Sequence, residues 1–145
     1  MTVIVEVYAR RLFGPAVIVA LALIVKGYVD VGDGFSAGTI VGLAVALQYV
    51  ARGRQRAETA VRLLHLAPIG AVVGLIGAIG VGFLGILTGE PPFTHAPAPG
   101  AKVIRVGTLE LSTAVVFDLF VFMLVASVLI IIIHHLATRS RGEER

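Results

Sequence analysis

Few residues in this chain could do chemistry, and their surroundings decide what kind. Asp118 stands in Thr113–Ala137, a stretch with no other formal charge when its histidines are neutral. A carboxylate near a bilayer centre costs about 2.5–3.5 kcal/mol on insertion scales, and less near the interface. Such a group faces protein or water, or it carries a proton. It is therefore a candidate cation or proton site, or else a structural hydrogen bond to a neighbouring helix. Its own helix offers no polar partner one turn away, where Ala114, Val115, Val121 and Phe122 stand. Lys26 lies near the end of the first apolar run. It either snorkels to the interface or pairs with Asp118.

The other polar groups read more plainly. Gln48 is the only strongly polar side chain of the second apolar run and suits a bond between helices. Glu6 precedes the first run as a solvated or interfacial charge. His65, His134 and His135 lie at run ends. Histidine titrates near neutral pH, but at an interface it reads as a tolerated polar cap. Asp30-Val-Gly-Asp33-Gly34-Phe35-Ser36 is a turn, with Asp33 or Ser36 expected to cap the next helix. It lacks the EF-hand pattern of a calcium loop.

Several chemistries find no support. There is no cysteine, so thiol catalysis and disulfides are excluded. No serine-nucleophile, phosphate-loop or zinc motif occurs. No catalytic residue, cofactor or metal site is therefore expected, and the chain is not read as an enzyme. The formal net charge is +3, but the basic residues flank apolar runs and form no stripe with aromatics. Nucleic acid is not an expected partner.

The elements that position these groups follow from hydropathy. The chain is 57% hydrophobic, above the roughly 45–50% of soluble domains, with the excess gathered in four runs. Each is near the ~20 residues that a helix needs to cross a bilayer. Because lipid leaves no backbone group unpaired and the runs do not alternate, helices are expected. The sequence predicts an all-α membrane protein, one domain over 1–145, with spans at about 10–29, 34–51, 63–88 and 113–137. Arg10-Arg11 before the first run is not read as a secretory or twin-arginine signal, because Lys26-Gly-Tyr-Val continues the span and no cleavage site follows cleanly.

Charge orients the spans. Arg10, Arg11, Arg52, Arg54, Arg56, Arg62, Arg139, Arg141 and Arg145 lie on one side; Lys102 and Arg105 lie on the other. The positive-inside rule puts both termini in the cytoplasm and the longest loop, 89–112, outside. That loop opens with prolines as a stiff linker and continues as a possible short hairpin or extended cover. Asp118 then sits about 7–8 Å from the outer end of its helix.

Small residues let membrane helices approach closely. Gly70, Gly74, Ala78 and Gly82 repeat at spacing four in the third span, and Gly38, Gly42 and Ala46 do so in the second. These faces predict close contact between spans two and three. The bulky fourth span suits lipid or a partner subunit.

Two segments resemble a known family. Gly32-Asp33-Gly34-Phe35-Ser36-Ala37-Gly38 is similar to the Gly-Gly-Gly-Phe-x-Gly-Gly entry to the second span of MnhB-type domains. These domains form the B subunit of Mrp-type multisubunit cation/proton antiporters. Thr113 followed by Phe117-Asp118-Leu-Phe-Val resembles that family's Thr…Phe-Asp-x-Gly-Val opening of the last span. Asp33 and Phe120 depart from it, each standing where glycine is usual. The resemblance implies a plasma-membrane subunit of a large complex that exchanges sodium for protons, with other antiporter subunits and the lipid bilayer as partners. It singles out Asp118 for a cation or a structural bond, Phe35 for anchoring against a partner, and Gly34 and Gly38 in the motif loop. A free-standing homo-oligomeric transporter and a scaffold subunit of a related membrane-bound hydrogenase complex are the alternatives.

Overall fold

The computed structural model describes residues 3–26, 33–53, 56–58, 65–87, 89–94, 104–106, 109–111 and 113–139. Its main elements are four helices: α1 Val3–Lys26, α2 Gly34–Arg52, α3 Ala67–Leu87 and α4 Thr113–Arg139. All four are long and apolar enough to cross a membrane, so the protein is an all-α, multi-pass membrane protein. The connection before α4 carries a minimal antiparallel hairpin, β1 Ile104–Val106 with β2 Leu109–Leu111, in which Ile104 opposes Leu111.

The helix ends depart from the apolar runs for local reasons. α1 begins at Val3, well before position 10. Its charged residue there, Glu6, is a good helix former and is held by Arg52 and Arg56. α3 begins at Ala67 with Pro68 in its first turn, where proline's missing N–H would have had no helical acceptor anyway. Positions 27–29, 63–64 and 88 of the expected spans lie outside the described residues.

The helix order in space corrects one expectation. α4 packs on both α2 and α3, and α1 packs on α2; α2 and α3 make at most marginal contact with each other. The two glycine faces do not meet. Both receive α4. A Cβ built at Gly38 would fall 2.9 Å from Val125 Cβ and 3.0 Å from the Phe122 carbonyl oxygen, and one at Gly42 would fall 2.7 Å from Leu129 Cβ. On the other side, a Cβ at Gly74 would fall 2.6 Å from the Leu124 amide nitrogen and 2.8 Å from the Phe120 carbonyl oxygen. Phe120 also covers Gly77, and the Ser127 hydroxyl covers Gly70.

The physical reason is complementarity of size. Each smooth face takes the knobs of the bulky helix. α4 carries two stripes at i, i+4 and i+7 spacing. Phe122, Val125 and Leu129 extend from Asp118 toward α2; Phe120, Leu124 and Ser127 lie toward α3. A two-residue offset is about 200° around a helix, so the stripes lie on opposite faces. The bulky span thus lies between α2 and α3. Gly82, a fifth expected packing glycine, faces the Phe93 ring of the following loop instead of a helix.

Polar ties supplement this packing. Gln48, 2% exposed, donates from Nε2 to the Ala9 carbonyl oxygen of α1 at 2.5 Å. Membrane hydrogen bonds of this kind are worth about 0.6 kcal/mol on average.

Candidate functional site

α2 starts at Gly34, and the first N–H groups of any helix lack helical acceptors. Asp33 occupies the N-cap position, yet its side chain makes no capping hydrogen bond. The cap comes from α4. The Gly34 N–H donates to Asp118 Oδ1 at 2.8 Å. Asp118 is 8% exposed. Its carboxylate therefore sits against the partial positive charge of the α2 N-terminus, where a negative group is attracted. The expected cap by Asp33 or Ser36 is replaced by this residue of another helix.

Gly34 makes the approach possible. A Cβ there would collide with the Asp118 main-chain carbonyl oxygen and would lie 2.6 Å from Oδ1. The motif glycine is thus a contact surface for the motif aspartate. The second carboxylate oxygen, Oδ2, is buried with no hydrogen-bond partner among the described residues. Leaving a charged acceptor unpaired in a dry interior is costly, so Oδ2 is where a proton, a cation or a group from a neighbouring chain would gain most.

The departure at Phe120 does not disturb this site. Phe120 lies on the opposite face of α4, filling the gap over Gly77. Close backbone approach beside Asp118 is achieved from the α2 side. Lys26 is not the partner of Asp118; its Nζ stands 3.7 Å from Asp33 Oδ2, with 62% of the lysine side chain exposed. Exposed pairs of this kind contribute at most about 1 kcal/mol. Phe35, in the first turn of α2, is 65% exposed, while Gly38 is buried one turn later.

A third group reaches this end of the bundle from the loop after α3. The Phe93 N–H donates to the Gly82 carbonyl oxygen at 2.6 Å, and Phe93 adopts a φ of 63°. Its ring packs 6.2 Å, edge to face, from the ring of Phe117, the neighbour of Asp118.

The two motif segments, far apart in sequence, thus form one junction. A family model described as "Domain related to MnhB subunit of Na+/H+ antiporter" matches residues 4–131. The chain belongs to this family. The matched region holds both halves of the junction, Gly34 and Asp118. A protein of Rhizobium meliloti (strain 1021), described as the probable A/B subunit of a K(+)/H(+) antiporter, is 33% identical over 144 residues, covering 91% of this chain. The chain spans 14% of that relative's length.

At the other end of the MnhB-related bundle, the structure gathers groups that looked separate in sequence. Glu6 of α1 accepts from Arg56 at 3.0 and 3.1 Å and lies 3.8 Å from Arg52 Nε. Arg52 also donates to Gln48 Oε1 at 3.3 Å. His134 of α4 is not a lone polar cap, since its Nδ1 meets Tyr49 Oη at 3.0 Å and Glu58 Oε1 at 3.4 Å. His65 is exposed. Among the described residues no three metal-ligating side chains converge.

Proposed function

We propose that this MnhB-related chain is a plasma-membrane subunit of a multisubunit monovalent cation/proton antiporter, working beside other antiporter subunits. The observation that carries this reading is the family match across residues 4–131. The fold supports it. Asp118 is the one acidic side chain among the buried polar groups of the described residues. One shallow carboxylate, already bonded through one oxygen, does not make a path across a bilayer. Other subunits have to supply the rest, and this chain is a transporter component, not an enzyme. The family description names sodium and the relative's name potassium; an alkali cation is the common cargo, and sodium is the cation we favour for this chain. Purification of the tagged chain in mild detergent tests the reading, with larger membrane subunits expected to come with it.

Within that assembly Asp118 has two tasks. Oδ1 locks α4 to the start of α2, and Oδ2 serves the ion or proton path. Phe35, exposed at the same end, docks a partner subunit. Lys26 with Asp33 forms the polar rim.

The orientation follows from the positive-inside rule, with the Arg10, Arg11, Arg52 and Arg56 end cytoplasmic and the Asp118 end outside. The chain has no native cysteine, so single labels are clean. In intact cells a membrane-impermeant maleimide is expected to label Thr94→Cys and spare Arg10→Cys. The reverse pattern would turn the topology over.

A further inference from the structure

The bundle end opposite Asp118 holds a group that the transport reading leaves unused. His134 Nδ1 faces two oxygens with opposite demands: Tyr49 Oη at 3.0 Å and Glu58 Oε1 at 3.4 Å. A phenol can donate to a bare ring nitrogen, whereas a carboxylate only accepts and needs an N–H. No single protonation state satisfies both fully. With Nδ1 bare, the Tyr49 hydroxyl donates to it and the Glu58 carboxylate meets a lone pair. With Nδ1 protonated on an imidazolium, the N–H donates to Glu58 in a charge-assisted bond, and the Tyr49 hydroxyl has to rotate away or accept.

We propose that His134 is a proton-binding switch whose Nδ1 exchanges Tyr49 for Glu58 when it takes up a proton. Both partners are open at the surface of the bundle: the His134 side chain is 37% exposed and that of Glu58 34%. The exchange moves the attachment of α4 from α2, which carries Tyr49, to the segment after it, which carries Glu58. It is felt in the packing, because Tyr49 belongs to the core with Val45 and Ala57 on which Ile130 and Ile133 of α4 rest. Glu6 of α1 holds Arg52 and Arg56. The His135 ring centre is 6.0 Å from that of His134, and its own Nδ1 lies 3.0 Å from the Ile131 carbonyl oxygen.

Nitrogen-15 NMR of the full chain, labelled at histidine and reconstituted in phosphatidylcholine vesicles, reads the switch directly; His134→Gln assigns the signal. In alkaline buffer Nδ1 is expected bare and hydrogen-bonded, and Tyr49→Phe should lose that hydrogen-bond shift. In acid Nδ1 is expected to carry hydrogen, and Glu58→Gln should lose the downfield shift of that N–H while Tyr49→Phe keeps it. Unchanged signals from the other histidines certify the fold of each variant. Where a variant does not fold, wild-type chain with carbon-13 at the glutamate carboxyls gives the same answer, through acid-only contact between Nδ1–H and the Glu58 carboxyl. A Nδ1 that stays protonated, or stays bare, across the pH range overturns the proposal. So does a signal indifferent to both partners.

Discussion

Gly74→Leu is expected to prevent the bundle from forming. The first atom added, a Cβ, would lie 2.6 Å from the Leu124 nitrogen and 2.8 Å from the Phe120 carbonyl oxygen. Both belong to the main chain of α4, which cannot swing aside as a side chain can. Nor can α4 retreat, because its far side meets the Gly38 face of α2, where a Cβ would already lie 3.0 Å from the Phe122 carbonyl oxygen. Overpacking typically costs about 1–3 kcal/mol, and more when no group can yield. In lipid, no water-driven force between helices compensates for lost close approach. Gly80→Leu is the control, since nothing lies within 4 Å of a Cβ there. The yield of monodisperse chain after detergent extraction should collapse for Gly74→Leu and stay near wild type for Gly80→Leu. Equal yields would refute the placement of α4 against α3.

Substitution of Asp118 should separate its two oxygens. Asp118→Asn keeps a carbonyl oxygen able to accept from the Gly34 N–H, and removes the charge and the exchangeable proton. The complex should assemble, and cation/proton exchange should fall about tenfold, equivalent to about 1.4 kcal/mol in a barrier. Asp118→Ala removes the cap as well. Loss of an N-cap costs about 0.5–2 kcal/mol, so this variant should also assemble poorly. Normal exchange by Asp118→Asn would leave Asp118 only its joining role. Normal assembly by Asp118→Ala would remove that role too.

The four spans were legible because each is a continuous apolar run, and burial in lipid demands little beyond length and hydropathy. Their neighbours were not. A glycine face announces close approach but not to what, so Gly38, Gly42, Gly70 and Gly74 suggested each other. The stripe of Phe122, Val125 and Leu129 that in fact fills the α2 groove was invisible, because nearly every position of α4 is apolar and no periodicity stands out. The cap on α2 was missed for a related reason. Its donor is a backbone N–H, which leaves no mark in a sequence, and the nearby Asp33 offered an obvious local cap. Gly34 was the available signal, as a glycine at a helix start. His134 read as a tolerated polar cap, and nothing in the sequence marked Tyr49 or Glu58 as its partners. Only the packing of α4 against α2 and the segment after it brings them together. Phe93, the lone aromatic of its proline-rich stretch, was the remaining hint of the loop that folds back beside Asp118.

The most direct test of the account is cation/proton exchange in sealed vesicles, comparing the purified chain alone with the assembly that co-purifies with it. The assembly is expected to exchange an alkali cation for protons, and the isolated chain, folded and inserted, is expected not to. Exchange by the isolated chain alone would contradict it.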